Sequence, residues 1–255
     1  MRRKITPISH YTITKTTTCD TILSMATAIG AITELRLETP GDKPQISGKI
    51  TCPPGLRPAP GQYLVASSAS LSDPLPVALF PSGLEGDELV IAPPIPPHWV
   101  TGSQLALRGP LGRGFHPPST ARRFALAALD DSPARLMPLA FQALAQRASV
   151  ALYTRAIPAH LPPEVEILPP DMLPEAPAWA DFLAIDAPIR ELSNLRRMLG
   201  LGLYAHPACP VQVLVFTPMP CGDMAECGVC SVPTREGWRL ACSDGPVFDW
   251  NSLEV

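Results

Sequence analysis

The chain has 255 residues, 46% of them hydrophobic and 17% charged, and a net charge of −3. That is enough apolar material for one or two domains, and it excludes global disorder. Lys and Arg are scattered, which excludes a nucleic-acid surface, and no apolar run approaches the ~18 residues a membrane span needs.

Residues 1–25 read as an unstructured leader. Met1-Arg2-Arg3-Lys4 resembles the basic start of a signal peptide, but threonine-rich sequence follows instead of an apolar segment. A transit peptide is the alternative, and Met25 is the expected natural start. From 26 to 117 short β-like runs alternate with Gly and Pro breaks: Ala28–Leu37, Gln45–Cys52, Gln62–Ser67, Leu75–Phe80, Glu88–Ala92 and Gln104–Arg108. This spacing predicts an antiparallel β-barrel or sandwich, with Pro60-Gly61 and Gly83–Gly86 as turns. The 33 prolines, many in adjacent pairs such as Pro93-Pro94 and Pro169-Pro170, mark stiff loops.

From 118 to 217 the pattern changes. Phe124–Leu129 is a continuous apolar run, suited to a strand buried on both faces. A helix is expected from Pro133 through Leu144, then strands at Val150–Thr154, Val165–Leu168 and Phe182–Ile185. A helix over Ile189–Leu199 and a strand at Val211–Phe216 complete a parallel α/β (Rossmann-like) layer. Residues 218–255 hold too few large apolar residues for a core of their own, so a metal centre is expected to order them.

Seven cysteines occur, at 19, 52, 209, 221, 227, 230 and 242. An odd number crowded towards one end does not suit a disulfide framework, and it points to a reducing, cytoplasmic setting with a cofactor site. The last four follow Cys221-x5-Cys227-x2-Cys230-x11-Cys242. Thiolates are the soft ligands of iron–sulfur centres, and plant-type [2Fe–2S] sites use C-x4-C-x2-C with a distant fourth cysteine. Gly222 and Gly228 would let backbone N–H groups approach the sulfides. A four-cysteine zinc site is the competing reading, although only Cys227 and Cys230 form a zinc-type pair. Unligated thiols are a third. Cys19, Cys52 and Cys209 read as ordinary core or loop residues, and His98, His116 and His206 as loop residues without a catalytic role.

The string Cys242-Ser-Asp-Gly-Pro-Val-Phe248, following Cys-Gly-Val-Cys, resembles the C-terminal signature of the dihydroorotate dehydrogenase electron-transfer subunit. Pro60-Gly61-Gln62-Tyr63 and Gly109-Pro-Leu-Gly-Arg-Gly-Phe115 resemble further strings of that ferredoxin reductase-like family, so the similarity covers about residues 26–250. It implies a flavin-binding barrel (26–117), a nucleotide-binding-like α/β domain (118–217) and a C-terminal [2Fe–2S] domain (218–255). It also implies a flavin-containing dehydrogenase as partner in a hetero-oligomer, and a place in pyrimidine biosynthesis.

Three departures qualify that implication. The cysteine loop carries one residue more than the family pattern. The family's Arg-Pro-x-Ser flavin motif stands here as Leu75-Pro76-Val77-Ala78, which can neither pair with a phosphate nor hydrogen-bond a flavin ring. Its glycine-rich nucleotide loop is replaced by Asp130-Asp-Ser-Pro-Ala-Arg135, where Pro133 removes an N–H and the aspartates repel an anion, with Arg135 as partial compensation. FAD therefore remains an open cofactor, with Tyr63, Leu64, Val65, Leu79 and Phe80 as its candidate groove. NAD(P) is not expected, nor is NAD(P)H oxidation by the chain alone. The alternative function is a non-catalytic scaffold or assembly protein with a structural four-cysteine metal centre.

Overall fold

The computed structural model describes residues 26–38, 44–68, 74–130, 132–156 and 161–255. The expected leader, Cys19 and Asp131 lie outside them. Seven antiparallel strands come first: β1 (Ala26–Glu38), β2 (Gln45–Thr51), β3 (Tyr63–Ser68), β4 (Val77–Leu79), β5 (Pro81–Glu85), β6 (Glu88–Ile91) and β7 (Gln104–Leu111). They hydrogen-bond in the order β4-β3-β7-β1-β2-β6-β5.

β1 is long enough to serve both halves of this sheet. Its first part pairs with β7 and its second with β2, with a bulge between Ile32 and Glu34 that bends the strand at the change of partner. The two edge strands, β4 and β5, are separated in sequence only by Phe80, so the sheet must curl until its edges meet. The result is a half-barrel filled by Ile32, Leu64, Leu79, Leu105 and Leu107. β5 was not expected. Gly83, assigned to a turn from sequence, lies inside that strand next to a register shift, a position at which a lone glycine fits a strand.

The second sheet runs β10 (Val165–Leu168), β9 (Ser149–Tyr153), β8 (Arg123–Ala128), β11 (Phe182–Pro188), β12 (Val211–Phe216) and β15 (Val247–Asp249). The first five are parallel and β15 is antiparallel. All seven residues of β11 are buried, as covering on both faces requires.

The helices are shorter than the sequence suggests. A 3-10 turn at Ala134–Leu136 precedes α1 (Met137–Ala145). The helix expected over Ile189–Leu199 is 3-10 through Asn194 and α-helical only in α3 (Leu195–Met198), after α2 (Ala176–Trp179). Ser193 and Asn194, which favour turns over helix interiors, fall where the two geometries meet. Among the described residues no helix is long and apolar enough to cross a membrane.

The C-terminal segment differs most from expectation. β13 (Ser231–Thr234) and β14 (Gly237–Leu240) form a hairpin, and β15 then joins the α/β sheet beside β12. Val232, Phe248, Trp250 and Leu253 are buried in the same cluster as the α/β core. A segment too poor in apolar residues to build its own core borrows its neighbour's. Metal therefore is not all that orders it.

Candidate metal centre

Cys230 immediately precedes β13 and Cys242 follows β14 by one residue, so the hairpin register sets them side by side. The Ala241 N–H continues the ladder to the Cys230 carbonyl at 2.9 Å. The two thiols are in hydrogen-bond contact, and both are buried, at 1% and 0% exposure. Burial, then the Cys230 contact, pushes the Cys242 thiol up to about 12.

Cys221 and Cys227 form a second pair, at the two ends of a loop that closes tightly on itself. Gly222, Asp223 and Ala225 all have positive φ (57°, 71° and 58°). Glycine and aspartate adopt that region readily. Alanine does so at a cost of about 1–2 kcal/mol, strain of the kind that collects at functional loops. The curl aims the N–H groups of Met224, Cys227 and Glu226 at the Cys221 sulfur. Burial pushes this thiol up, but the Cys227 contact and those donors outweigh it and hold it near 7.

The thiols thus form two pairs, 221/227 and 230/242. Among the described residues no three His, Cys, Asp or Glu side chains converge on the position of a single ion. Paired thiolates are ligands that both the tetrahedral irons of an iron–sulfur cluster and a tetrahedral zinc take. The amide donors around Cys221 suit a thiolate or sulfide that must carry charge in a partly buried site.

The strings that resemble the reductase family also converge, on the structural support of this centre. The Tyr63 hydroxyl donates to the Cys242 carbonyl at 3.0 Å, with Asp223 beside it. Burial and that carboxylate push the Tyr63 hydroxyl well above the usual phenol range. Burial likewise raises Asp223, and Arg108 and Tyr63 partly offset it. The Arg113 N–H donates to the Gly245 carbonyl, and the Phe115 N–H to the Pro60 carbonyl at 2.8 Å. A Cβ on Gly112, at φ +72°, would lie 2.6 Å from Pro246 Cδ. The Arg108 guanidinium donates to the Gly222 carbonyl, and a Cβ on Gly222 would lie 2.7 Å from Pro76 Cγ, so the loop seats directly on the barrel.

The five residues read as a flavin groove lie on and beside the paired strands β3 and β4, where Leu64 is in register with Leu79 and the Tyr63 and Phe80 rings are 5.6 Å apart. Tyr63 braces the cluster hairpin, and Leu64 and Leu79 lie in the barrel core. Val65 borders a cavity of about 630 Å³ beside Cys221, and Phe80 borders another of about 430 Å³ between β4 and the end of β12. None of the residues around this second cavity is charged. This second cavity therefore offers no cation to the pyrophosphate of FAD, whereas Arg108, Thr27 and Ser67 border the first.

The crevice at the carboxyl ends of β8 and β11, where an open α/β sheet takes a nucleotide, is filled by side chains. Arg135 is 2% exposed and Asp186 is fully buried. Arg135 donates from Nε to Asp186 at 2.8 Å, from Nη2 to Asp130 at 3.0 Å and from Nη1 to the Pro93 carbonyl at 3.2 Å. Its guanidinium also stacks 3.9 Å over the Phe216 ring. Sequence reading gave Arg135 a compensating role towards an anion. The structure commits it to two carboxylates instead, a pairing that the distance of 51 residues between Arg135 and Asp186 conceals.

Residues 218–254 match the model of the iron–sulfur cluster binding domain of dihydroorotate dehydrogenase B. No curated protein matches the chain. The fold is similar to that of an NADH-dependent reduced ferredoxin-NADP oxidoreductase described for flavin-based electron bifurcation. The TM-score is 0.69 at 15% identity, over 90% of this chain and 91% of that one. It is also similar to the ferredoxin-NADP+ reductase of Plasmodium falciparum (TM-score 0.55, 11% identity, 74% and 96% covered). A third similarity is to the ferredoxin reductase of a carbazole 1,9a-dioxygenase (TM-score 0.52, 14% identity, 69% and 64% covered). At these identities the structures establish a ferredoxin reductase-like fold. With the C-terminal match they make the chain similar to a dihydroorotate dehydrogenase electron-transfer subunit, in an iron–sulfur electron-transfer role.

Proposed function

We propose that this chain is the electron-transfer subunit of an oxidoreductase, holding a [2Fe–2S] cluster on Cys221, Cys227, Cys230 and Cys242. The observation that carries the reading is the pairing of the thiols, 221 with 227 and 230 with 242, matching two ligands per iron. When bound, such a cluster supplies the uptake and release of single electrons. The protein's part is to hold it. The β13–β14 hairpin fixes one pair from the buried side, the loop from Cys221 to Cys227 wraps the other, and the N–H donors at 224, 226 and 227 stabilise charge on sulfur.

The domain division follows the same reading: barrel 26–117, α/β domain 118–217 and cluster domain 218–255. Cys227, Met224 and Val229 are exposed, which leaves one edge of the centre open to a redox partner. By similarity that partner is a flavin-containing dehydrogenase subunit acting on dihydroorotate or another small metabolite. The Arg135 network supports a chain that does not oxidise NAD(P)H by itself. Six free cysteines among the described residues suit a reducing, cytoplasmic setting.

One observation favours a second reading, a scaffold with a structural metal: the nucleotide crevice is closed by the chain's own ion pairs. Iron and acid-labile sulfide analysis of anaerobically purified protein separates the two. Iron and sulfide in equal amounts, about two of each per chain, support the cluster. Stoichiometric zinc would replace it with the scaffold.

A further inference from the structure

Two opposite charges stand where the cysteine loop seats on the barrel. Arg108 lies on β7, in register with Val65 of β3 and Thr27 of β1, so the sheet fixes its backbone. Its guanidinium donates to the Gly222 carbonyl, one residue from Cys221, and Arg108 and Cys221 border the same cavity of about 630 Å³. Asp223 follows at a φ of 71°, half-buried, with Arg108 and the Tyr63 hydroxyl as neighbours. Tyr63 in turn reaches the Cys242 carbonyl at 3.0 Å. Arg108, Asp223 and Tyr63 therefore form one chain of contacts from the backbone beside Cys221 to the backbone of Cys242, touching both thiol pairs. Burial, Cys230 and Cys221 raise the Cys242 thiol, and the Asp223 carboxylate adds to the rise, so its charge is felt at that sulfur. Salt screens partly buried charges much less than charges in open solvent.

We infer that Arg108 and Asp223 set the reduction potential of the four-cysteine centre in opposite directions, Arg108 raising it and Asp223 lowering it. The inference rests on the [2Fe–2S] reading of that centre. One-electron reduction adds one negative charge among the thiolates, which a fixed cation favours and a fixed anion opposes. At the effective dielectric constant of about 20 near a protein surface, a unit charge within about 10 Å changes the ratio of reduced to oxidised centre about tenfold at a fixed potential. For a one-electron couple that is about 59 mV. Tyr63 contributes no charge; its hydroxyl ties Asp223 to the backbone of the buried thiol pair.

Potentiometric titration of the full chain with dithionite and mediator dyes, followed by visible absorbance at one pH, reads the potential. Iron and sulfide content and the melting curve report separately on assembly and fold. Asp223→Asn, which keeps a residue tolerant of left-handed backbone, is expected to raise the potential by about 59 mV, a tenfold change in the ratio. Arg108→Gln is expected to lower it by a similar amount, and Arg108→Lys, which restores the charge, to return the ratio to within about threefold of the unmodified chain's. Loosened packing gives no reason for shifts of opposite sign. Shifts of the same sign, no rise in Asp223→Asn, or a lysine variant displaced as far as the glutamine variant would each overturn the inference. Asp223→Asn decides alone if Arg108→Gln fails to assemble the centre. An unmodified chain whose centre holds zinc, or takes up no electron, overturns the [2Fe–2S] reading and the inference together; a centre that cycles with its potential unmoved in these variants removes the inference alone.

Discussion

Arg135→Met is the perturbation whose consequence the structure defines most sharply. Methionine keeps much of the side chain's volume and removes its charge, leaving fully buried Asp186 and mostly buried Asp130 without their shared cation. Breaking a buried pair from one side costs about 3–5 kcal/mol. For a chain of this size that is roughly 6–20 °C in melting temperature, at about 2–4 °C per kcal/mol. The loss should depend on pH. Burial already raises Asp186 to about 6, above its ordinary 3.8, with Arg135 as the opposing influence and Asp130 adding to the rise. A carboxyl raised on folding binds its proton more tightly in the native state, so its contribution to stability falls as pH climbs from about 4 through 6. Without Arg135 that fall extends to higher pH. Thermal melts by circular dichroism should therefore show a smaller deficit for the variant at pH 5, where Asp186 takes up a proton, than at pH 8. Equal deficits at both values, or none at either, would refute the assignment of Arg135 and Asp186 as a charge-compensating brace. The double variant Arg135→Met/Asp186→Leu should recover most of the loss, because an apolar replacement of both partners leaves no buried charge.

Three further outcomes are expected. Serine at Cys230 or Cys242 should abolish the visible absorption of the purified protein, and the melting transition of the α/β sheet should persist because Trp250 and Phe248 remain packed; full-spectrum absorbance beside far-ultraviolet circular dichroism checks both. Tyr63→Phe removes the donor to the Cys242 carbonyl at a buried position. It should destabilise by about 1–3 kcal/mol and speed loss of the metal centre to a chelator, without preventing its assembly. Gly112→Ala forces a Cβ to within 2.6 Å of Pro246 at a positive φ. The strain should exceed about 1 kcal/mol and free the segment after residue 242, read as a new site of limited proteolysis there.

Much of the fold was legible because its signals are local. The apolar run at Phe124–Leu129 needs two covering layers wherever it lies, and β8 has them. The pattern at Val211–Phe216 gave a strand with the bounds of β12. Other features were hidden because they depend on distant partners. β5 could not be read from Pro81–Glu85, where proline and glycine argue against a strand, because only closure of the half-barrel makes that edge worth pairing. β15 looked like part of a core-poor tail until β12 supplied its neighbour. At the metal centre, spacing picked out four thiols but not their partition into pairs, which follows from the hairpin register and three left-handed residues. The string from Gly109 to Phe115 and the one from Pro60 to Tyr63 carried only a resemblance to the reductase family. In the fold they contact the C-terminal segment, through pairs such as Tyr63 and Cys242 that lie 179 residues apart.

A reductive titration of anaerobically purified protein with dithionite, followed by absorbance and electron paramagnetic resonance, bears most directly on the central claim. About one electron per chain should bleach the visible bands reversibly and produce the signal of a reduced two-iron cluster. A spectrum that dithionite leaves unchanged, in folded protein carrying its full complement of metal, would contradict an electron-transfer role.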